Sequence, residues 1–198
     1  MRRFLAGAAL ALTLPLAGCF DADVTADFSD RDAVKLDAVM TMGADVYQMA
    51  ASMGEDPCKE GVGTVNADGS YTCAQSEVRT LDELIAEVGD PNSELGMAEG
   101  VSIEETADGN VHITFDLSQM TADMPTEEER AQMAMMFGDA FVGHAITMRV
   151  TGEEIIETSG EIVDGGKTAQ LIIPLENMFS VSGAQVPQEF DVVVKPGS

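Results

Sequence analysis

The stretch Val101-Ser102-Ile103-Glu104-Glu105-Thr106-Ala107-Asp108-Gly109-Asn110-Val111-His112-Ile113-Thr114-Phe115-Asp116-Leu117-Ser118 decides the fold class. Asp108-Gly109 accepts the left-handed backbone of a tight hairpin turn, and β-prone runs flank it. Val111, Ile113, Phe115 and Leu117 face one way, and His112, Thr114 and Asp116 the other. That alternation is the period of a strand with one buried face. A hairpin with one apolar face must be covered, so the rest of the chain is read as its neighbours and its cover.

Upstream, Ala22 to Phe28 reads as a first strand. Val34, Leu36, Ala38, Met40 and Met42 alternate with Lys35, Asp37, Val39 and Thr41, a second half-buried strand that Gly43 breaks. Val46, Met49, Ala50 and Met53 recur at helical spacing before Gly54. Thr80-Leu81-Asp82-Glu83 is a capping box opening a helix with Leu81, Leu84, Ile85 and Val88 as its stripe. Downstream, Thr126-Glu127-Glu128-Glu129 is a second box, and Met133, Met136, Phe137, Ala140 and Phe141 make the buried face of the longest helix. His144 to Leu175 reads as a three-strand meander with a break at Gly160 and a turn at Asp164-Gly165-Gly166, and Glu189 to Lys195 as a last strand. The expected class is α+β: a mainly antiparallel curved sheet with two or three helices, one packed across it.

The amino terminus carries an address. Met1-Arg2-Arg3 is cationic, and Phe4 to Leu14 is apolar or small but shorter than the roughly 20 residues that span a bilayer. Leu16-Ala17-Gly18-Cys19 ends this secretory pattern and matches the lipobox of bacterial lipoproteins. Residues 1–18 are therefore expected to be a signal peptide. Residues 19–198 are expected to form one extracytoplasmic domain, anchored through acylated, palmitate-type lipid on Cys19. Two or more acyl chains hold a protein firmly in a bilayer, where one does not. Phe4-Leu5 follows Arg3 directly, which favours the general secretory route over twin-arginine export. Phe20 stands where an aspartate would retain the protein in the inner membrane, so the outer membrane is the expected one, facing the periplasm.

Loss of residues 1–18 removes two of the ten Lys and Arg and none of the 35 Asp and Glu, moving the net charge from −25 to −27. Such a surface repels nucleic acid and anionic headgroups. The aspartates at 21, 23, 27, 30 and 32 lack the glycine turn and distal glutamate of a calcium loop. Cys58 and Cys73 remain, and in an oxidising compartment they are expected to pair. Asn66 to Gly69 is turn chemistry between them, so the bridge closes a hairpin and contributes on the order of 3 kcal/mol.

No nucleophile elbow, phosphate loop or dinucleotide fingerprint occurs, and His112 and His144 have no ligand neighbours at metal spacing. No catalytic residue, metal or cofactor is therefore assigned, and the domain is read as non-enzymatic; a periplasmic hydrolase assembled from distant residues is the minor alternative. Thirteen methionines and no tryptophan are the unusual composition. Thioethers can bind Cu(I), but Met40 and Met42 share an inward strand face, and Met133 and Met136 a helix stripe, so packing accounts for them. Adaptable methionines also line apolar pockets. Met133, Met136, Phe137, Phe141, Met40 and Met42 are the candidate ligand residues, in a groove between the long helix and the sheet.

Ile146-Thr147-Met148-Arg149-Val150-Thr151-Gly152, Ile155, Ser159-Gly160, Asp164-Gly165 and Ile173-Pro174-Leu175 resemble the closing strands of LppM-like bacterial lipoproteins. The resemblance implies a curved sheet gripping a helix, with binding of a hydrophobic or lipid ligand. It carries over no catalytic residue. The carboxy-terminal transmembrane helix common in that group has no counterpart up to Ser198, and the cystine hairpin is not a requirement of the group. The expected function is an envelope lipoprotein binding an apolar ligand; the alternative is a protein-interaction module without a cavity. Partners are the bilayer through Cys19 and an apolar ligand or envelope protein.

Overall fold

The computed structural model describes residues 20–54, 56–59, 61–88, 100–118, 126, 128–132, 135, 141–178 and 186–198. Cys19 and the signal segment lie outside them, as do Met133, Met136 and Phe137. The described strands form two open sheets. In the first, the spatial order is β3 (Val62–Val65), β4 (Tyr71–Arg79), β2 (Val34–Met42), β1 (Phe20–Asp27), β7 (Ala145–Thr151), β10 (Thr168–Pro174) and β9 (Glu161–Val163). The second runs β5 (Val101–Glu105), β6 (Val111–Asp116), β11 (Glu189–Lys195) and β8 (Glu154–Thr158). Among the described residues, α1 (Ala44–Ser52) links two strands of the first sheet, while α2 (Leu81–Val88) and α3 (Leu175–Met178) lie on connections from the first sheet to the second. Residues 128–132 are helical as well.

The apolar face of the decisive hairpin is covered by another sheet. Ile103, Val111, Ile113, Phe190, Val192 and Val194 of the second sheet share one buried cluster with Ala26, Val34, Met148, Val150, Ala169 and Ile173 of the first. The expected single curved sheet is therefore two, facing each other across a common core. Phe141 joins this core, buried, next to the end of the partly described long helix. The expected meander also divides: β7, β9 and β10 stay in the first sheet while β8 crosses to the second. Gly160 sits at that crossing. A Cβ there would stand 2.5 Å from the Gln170 carbonyl and 2.7 Å from the Phe190 ring, so only glycine lets the chain pass between the layers.

β1 takes the centre of the first sheet, antiparallel to β2 and parallel to β7, with Ala22 opposite Ile146 and Asp27 opposite Thr151. The other pairings of this layer are antiparallel, in keeping with the mainly antiparallel expectation, and this parallel contact is the one that adjacent hairpins do not supply. At one end of the sheet a smaller cluster forms from Met42, Val46, Cys58, Tyr71 and Cys73, with Phe20, Met40 and Tyr47 packed against it. Cys58 and Cys73 are bonded, their Cα atoms 5.4 Å apart. The Tyr47 and Tyr71 rings stack at 4.4 Å. Tyr71 lies over Gly63, where a Cβ would come within 1.8 Å of its hydroxyl oxygen.

Both capping boxes form. Thr80 donates its backbone N–H and hydroxyl to Glu83 Oε2, each at 3.0 Å, and Glu83 N–H returns to Thr80 Oγ1. Thr126 and Glu129 repeat the pattern. These donations, from the Thr80 backbone first, hold Glu83 below its ordinary carboxyl value; the Thr126 hydroxyl and backbone do the same for Glu129.

Two outcomes are expected. Replacing both Cys58 and Cys73 by alanine lowers unfolding free energy by about 3 kcal/mol in urea titration; an unchanged midpoint would show that the bridge is only decoration. Because the folded carboxyl of Glu83 titrates below its unfolded value of 4.5, its contribution is present above that value and lost as pH falls through the folded one. The Glu83→Gln variant should then lose stability less steeply than the parent on acidification below about pH 5, measured by thermal midpoints.

Candidate functional site

Strand alternation sets which side chains meet between the layers. Register places Val24 opposite Ala38 and Met148, and Ala26 opposite Leu36 and Val150, so all face the second sheet. From the other side, Val101 pairs with Phe115 and Ile103 with Ile113. Facing sheets pack about 10 Å apart, a gap that side chains from both layers must fill. Ala26 and Ala38 contribute only methyl groups. Space is left over them.

That space is a cleft of about 180 Å³. Val24, Ala26, Phe28, Leu36, Ala38 and Met148 line it from the first sheet, and Val101, Ile103, Ile113 and Phe115 from the second. Phe28, Ile113 and Ile103 are buried, and Phe115 stacks on Phe190 at 5.8 Å. The lining turns polar on the β4 side. Gln75 pairs with Ala38 and Glu77 with Leu36, so both lie on the cleft face of that strand. Gln75 is exposed and Glu77 half-buried. Arg79 donates to the Glu77 carboxylate, and its Nε stands 3.6 Å from Glu87.

The candidate residues read from the sequence do not gather here. Met42 is buried in the disulfide cluster and Met40 packs beside it. Phe141 belongs to the main core. None of the three lines the cleft. Met133, Met136 and Phe137 lie outside the described residues. The mouth residues Gln75 and Glu77 do carry a signal in the sequence. Along one face of β4 the sequence runs Tyr71, Cys73, Gln75, Glu77, Arg79, so an apolar face becomes polar halfway.

Both histidines have acidic partners on open sheet surfaces. His112 Nε2 stands 3.4 Å from Asp191 Oδ1, which also accepts from the Thr114 hydroxyl at 2.6 Å. His144 Nδ1 stands 3.0 Å from Asp21 Oδ2, and Asp21 Oδ1 accepts from the Ala145 N–H at 3.0 Å. Among the described residues no three His, Cys, Asp or Glu side chains are grouped to hold a metal ion. Nor is any described helix long and apolar enough to cross a membrane. The contacts of Asp21 fix the strand one residue after Phe20, which itself packs against both hydrophobic clusters.

No family model matches the sequence, and no curated protein matches it. Among solved structures the chain is similar to the folded domain of the LppM protein of Mycobacterium tuberculosis, determined by NMR. The TM-score is 0.50 at 12% identity, over 91% of this chain and 91% of that one. At that identity the likeness is one of fold, and it extends the sequence resemblance of the closing strands to the whole domain.

Ile113 forms a buried wall of the cleft, whereas Val78 is 54% exposed on the opposite face of the first sheet. Ile113→Ala should cost about 2–5 kcal/mol in chemical denaturation, and Val78→Ala no more than about 0.5 kcal/mol. Equal costs would mean that the two layers do not share a core.

Proposed function

We propose that this chain is a lipid-anchored protein of the bacterial cell envelope whose two-layer domain receives an apolar ligand between its sheets. The observation that carries the reading is the cleft. It is apolar on both walls, polar on one side, and set between layers that share one buried core. The LppM-like fold and the lipobox at Leu16 to Cys19 support the same reading from independent directions. The lipid on Cys19 is the bilayer attachment, and Phe20 argues for the outer membrane. No step of chemistry is assigned to the cleft.

A second reading, docking of an envelope protein, is favoured by β3. It is an edge strand, and its Val62 and Val65 are 71% and 55% exposed. An apolar strand edge is a template for pairing with another chain.

Protein purified gently from bacterial membranes should carry a bound amphiphile in native mass spectrometry. Ala38→Trp, which fills the cleft from its floor, should abolish that adduct while retaining the wild-type circular dichroism. Empty wild-type protein would sink the ligand reading. Cys19→Ser should move the protein from the membrane to the soluble fraction and remove palmitate labelling; unchanged fractionation would sink the anchor.

A further inference from the structure

We propose that the cleft selects an amphiphile with one hydrocarbon chain and an uncharged, hydroxyl-bearing head, the head seated at Gln75 and Glu77. The inference rests on the cleft being a ligand site, and it adds what kind of ligand fits.

Volume sets the chain count. A cavity of about 150 Å³ lined by aliphatic and aromatic side chains holds one benzene, and drug-sized sites run from about 300 Å³ upward. At about 180 Å³ the cleft takes part of one hydrocarbon chain and leaves no room for a second beside it.

Polarity sets the direction of entry. Phe28, Ile113 and Met148 form apolar walls, and all three are buried. The polar side chains on the cleft face of the first sheet are those of β4, Gln75 at the level of Ala38 and Glu77 at the level of Leu36. A chain lying over the alanines therefore brings its head to β4.

Charge sets the head. The Arg79 guanidinium beside the mouth is already shared by two carboxylates, Glu77 and Glu87. The other arginine of the lining, Arg149, is committed to Asp23 and to Gln170 Oε1. An anionic head would meet the Glu77 carboxylate with no free guanidinium beside it, on a chain of net charge −25. A cationic head would set a second positive charge against the Arg79 guanidinium that already holds Glu77. A hydroxyl group fits both neighbours. It can donate to the Glu77 carboxylate, which keeps acceptor capacity while paired with Arg79, and exchange hydrogen bonds with the Gln75 amide.

The test is a competition in native mass spectrometry. The lipidated protein is held in phosphatidylcholine nanodiscs with equal amounts of 1-monolauroylglycerol, laurate, dodecyltrimethylammonium and 1,2-dilauroylglycerol. Only adducts lost in Ala38→Trp are counted as bound in the cleft. Monolauroylglycerol should exceed each of the other three by about tenfold, the scale expected from leaving one buried polar group unpaired. In Glu77→Gln the carboxylate is gone and Arg79 is partly released, so laurate should gain at least about threefold on monolauroylglycerol. Laurate or the ammonium probe equal to monolauroylglycerol in the parent, or no change in Glu77→Gln, would overturn the head assignment and leave the cleft reading standing. Dilauroylglycerol bound as well as the single-chain probe would overturn the chain count. No cleft-dependent adduct with any probe would remove the proposed function itself.

Discussion

The parallel pairing of β1 with β7 is the contact on which the other features depend. Without it the first sheet falls into two pieces, β3-β4-β2-β1 and β7-β10-β9, and the residues of both pieces that share the main core lose their common layer. The pairing runs from Ala22–Ile146 to Asp27–Thr151 and is fastened along its length. Asp21 holds His144 and the Ala145 N–H at one end, Arg149 reaches Asp23 in the middle, and Phe28 N–H donates to the Thr151 carbonyl at the other. The exposed ion pairs in this row are individually weak. Their effect is positional: they fix register in a strand whose slip by one residue would turn Val24 and Ala26 away from the core. Because β1 is also the strand that follows Cys19, the proposed anchor would join the centre of the sheet without a linker.

How much of this was legible in the sequence follows from how local each contact is. The β5–β6 hairpin, the cystine hairpin and both capping boxes are encoded within short windows by turn residues, alternation and Thr–Glu spacing. They were readable. Alternation in the segment from 144 to 175 was also readable, but a period of two says that a strand has a buried face and not which sheet supplies its cover. The split of β8 from β7 depends on Gly160 passing between Gln170 and Phe190, residues that no local pattern brings together. The parallel β1–β7 contact is hidden for the same reason. The cleft was the least legible feature, since Ala26 and Ala38 occupy ordinary inward positions. Their small size matters only against Ile103, Ile113 and Phe115 from another layer. Methionine content is visible in composition, whereas a gap between layers is not.

The acidity of the chain has a structural side. Arg31, Lys35, Arg79, Arg149 and Lys195 are all engaged with carboxylates: Lys35 and Arg79 within their own strands, Arg149 between β7 and β1, and Arg31 from a loop to β5. Arg31 illustrates the pattern: it donates to Glu105 of β5 while its carbonyl accepts from Leu81 at the start of α2, so one residue ties both layers and a helix. With these cations already paired, the excess carboxylates are left on the surface without a positive neighbour. At physiological ionic strength their field decays over about 8 Å. A domain tethered directly through its central strand would sit within that distance of a bilayer. The lipid would then draw it in while anionic headgroups push it off, a balance that sets orientation more than affinity.

The cleft also bears on stability, and its size makes the effect significant. Cavities in protein cores cost about 24 cal/mol per Å³ of residual volume. For about 180 Å³ that is on the order of 4 kcal/mol if none of the space is filled, and less where water enters from the β4 side. Domains of this size retain about 5–15 kcal/mol in total. Replacing Ala38 by a larger apolar residue is a single-codon-scale change that would recover part of the loss, since Gln75 beside it is exposed and leaves room for adjustment. Cys73 lies in the apolar half of β4, one alternation before Gln75 on the same face, so the disulfide braces the strand that borders the opening. The space over two alanines, bordered by a covalently braced strand, is where the proposed ligand would lie, and the stability it costs would be recovered when a chain fills it.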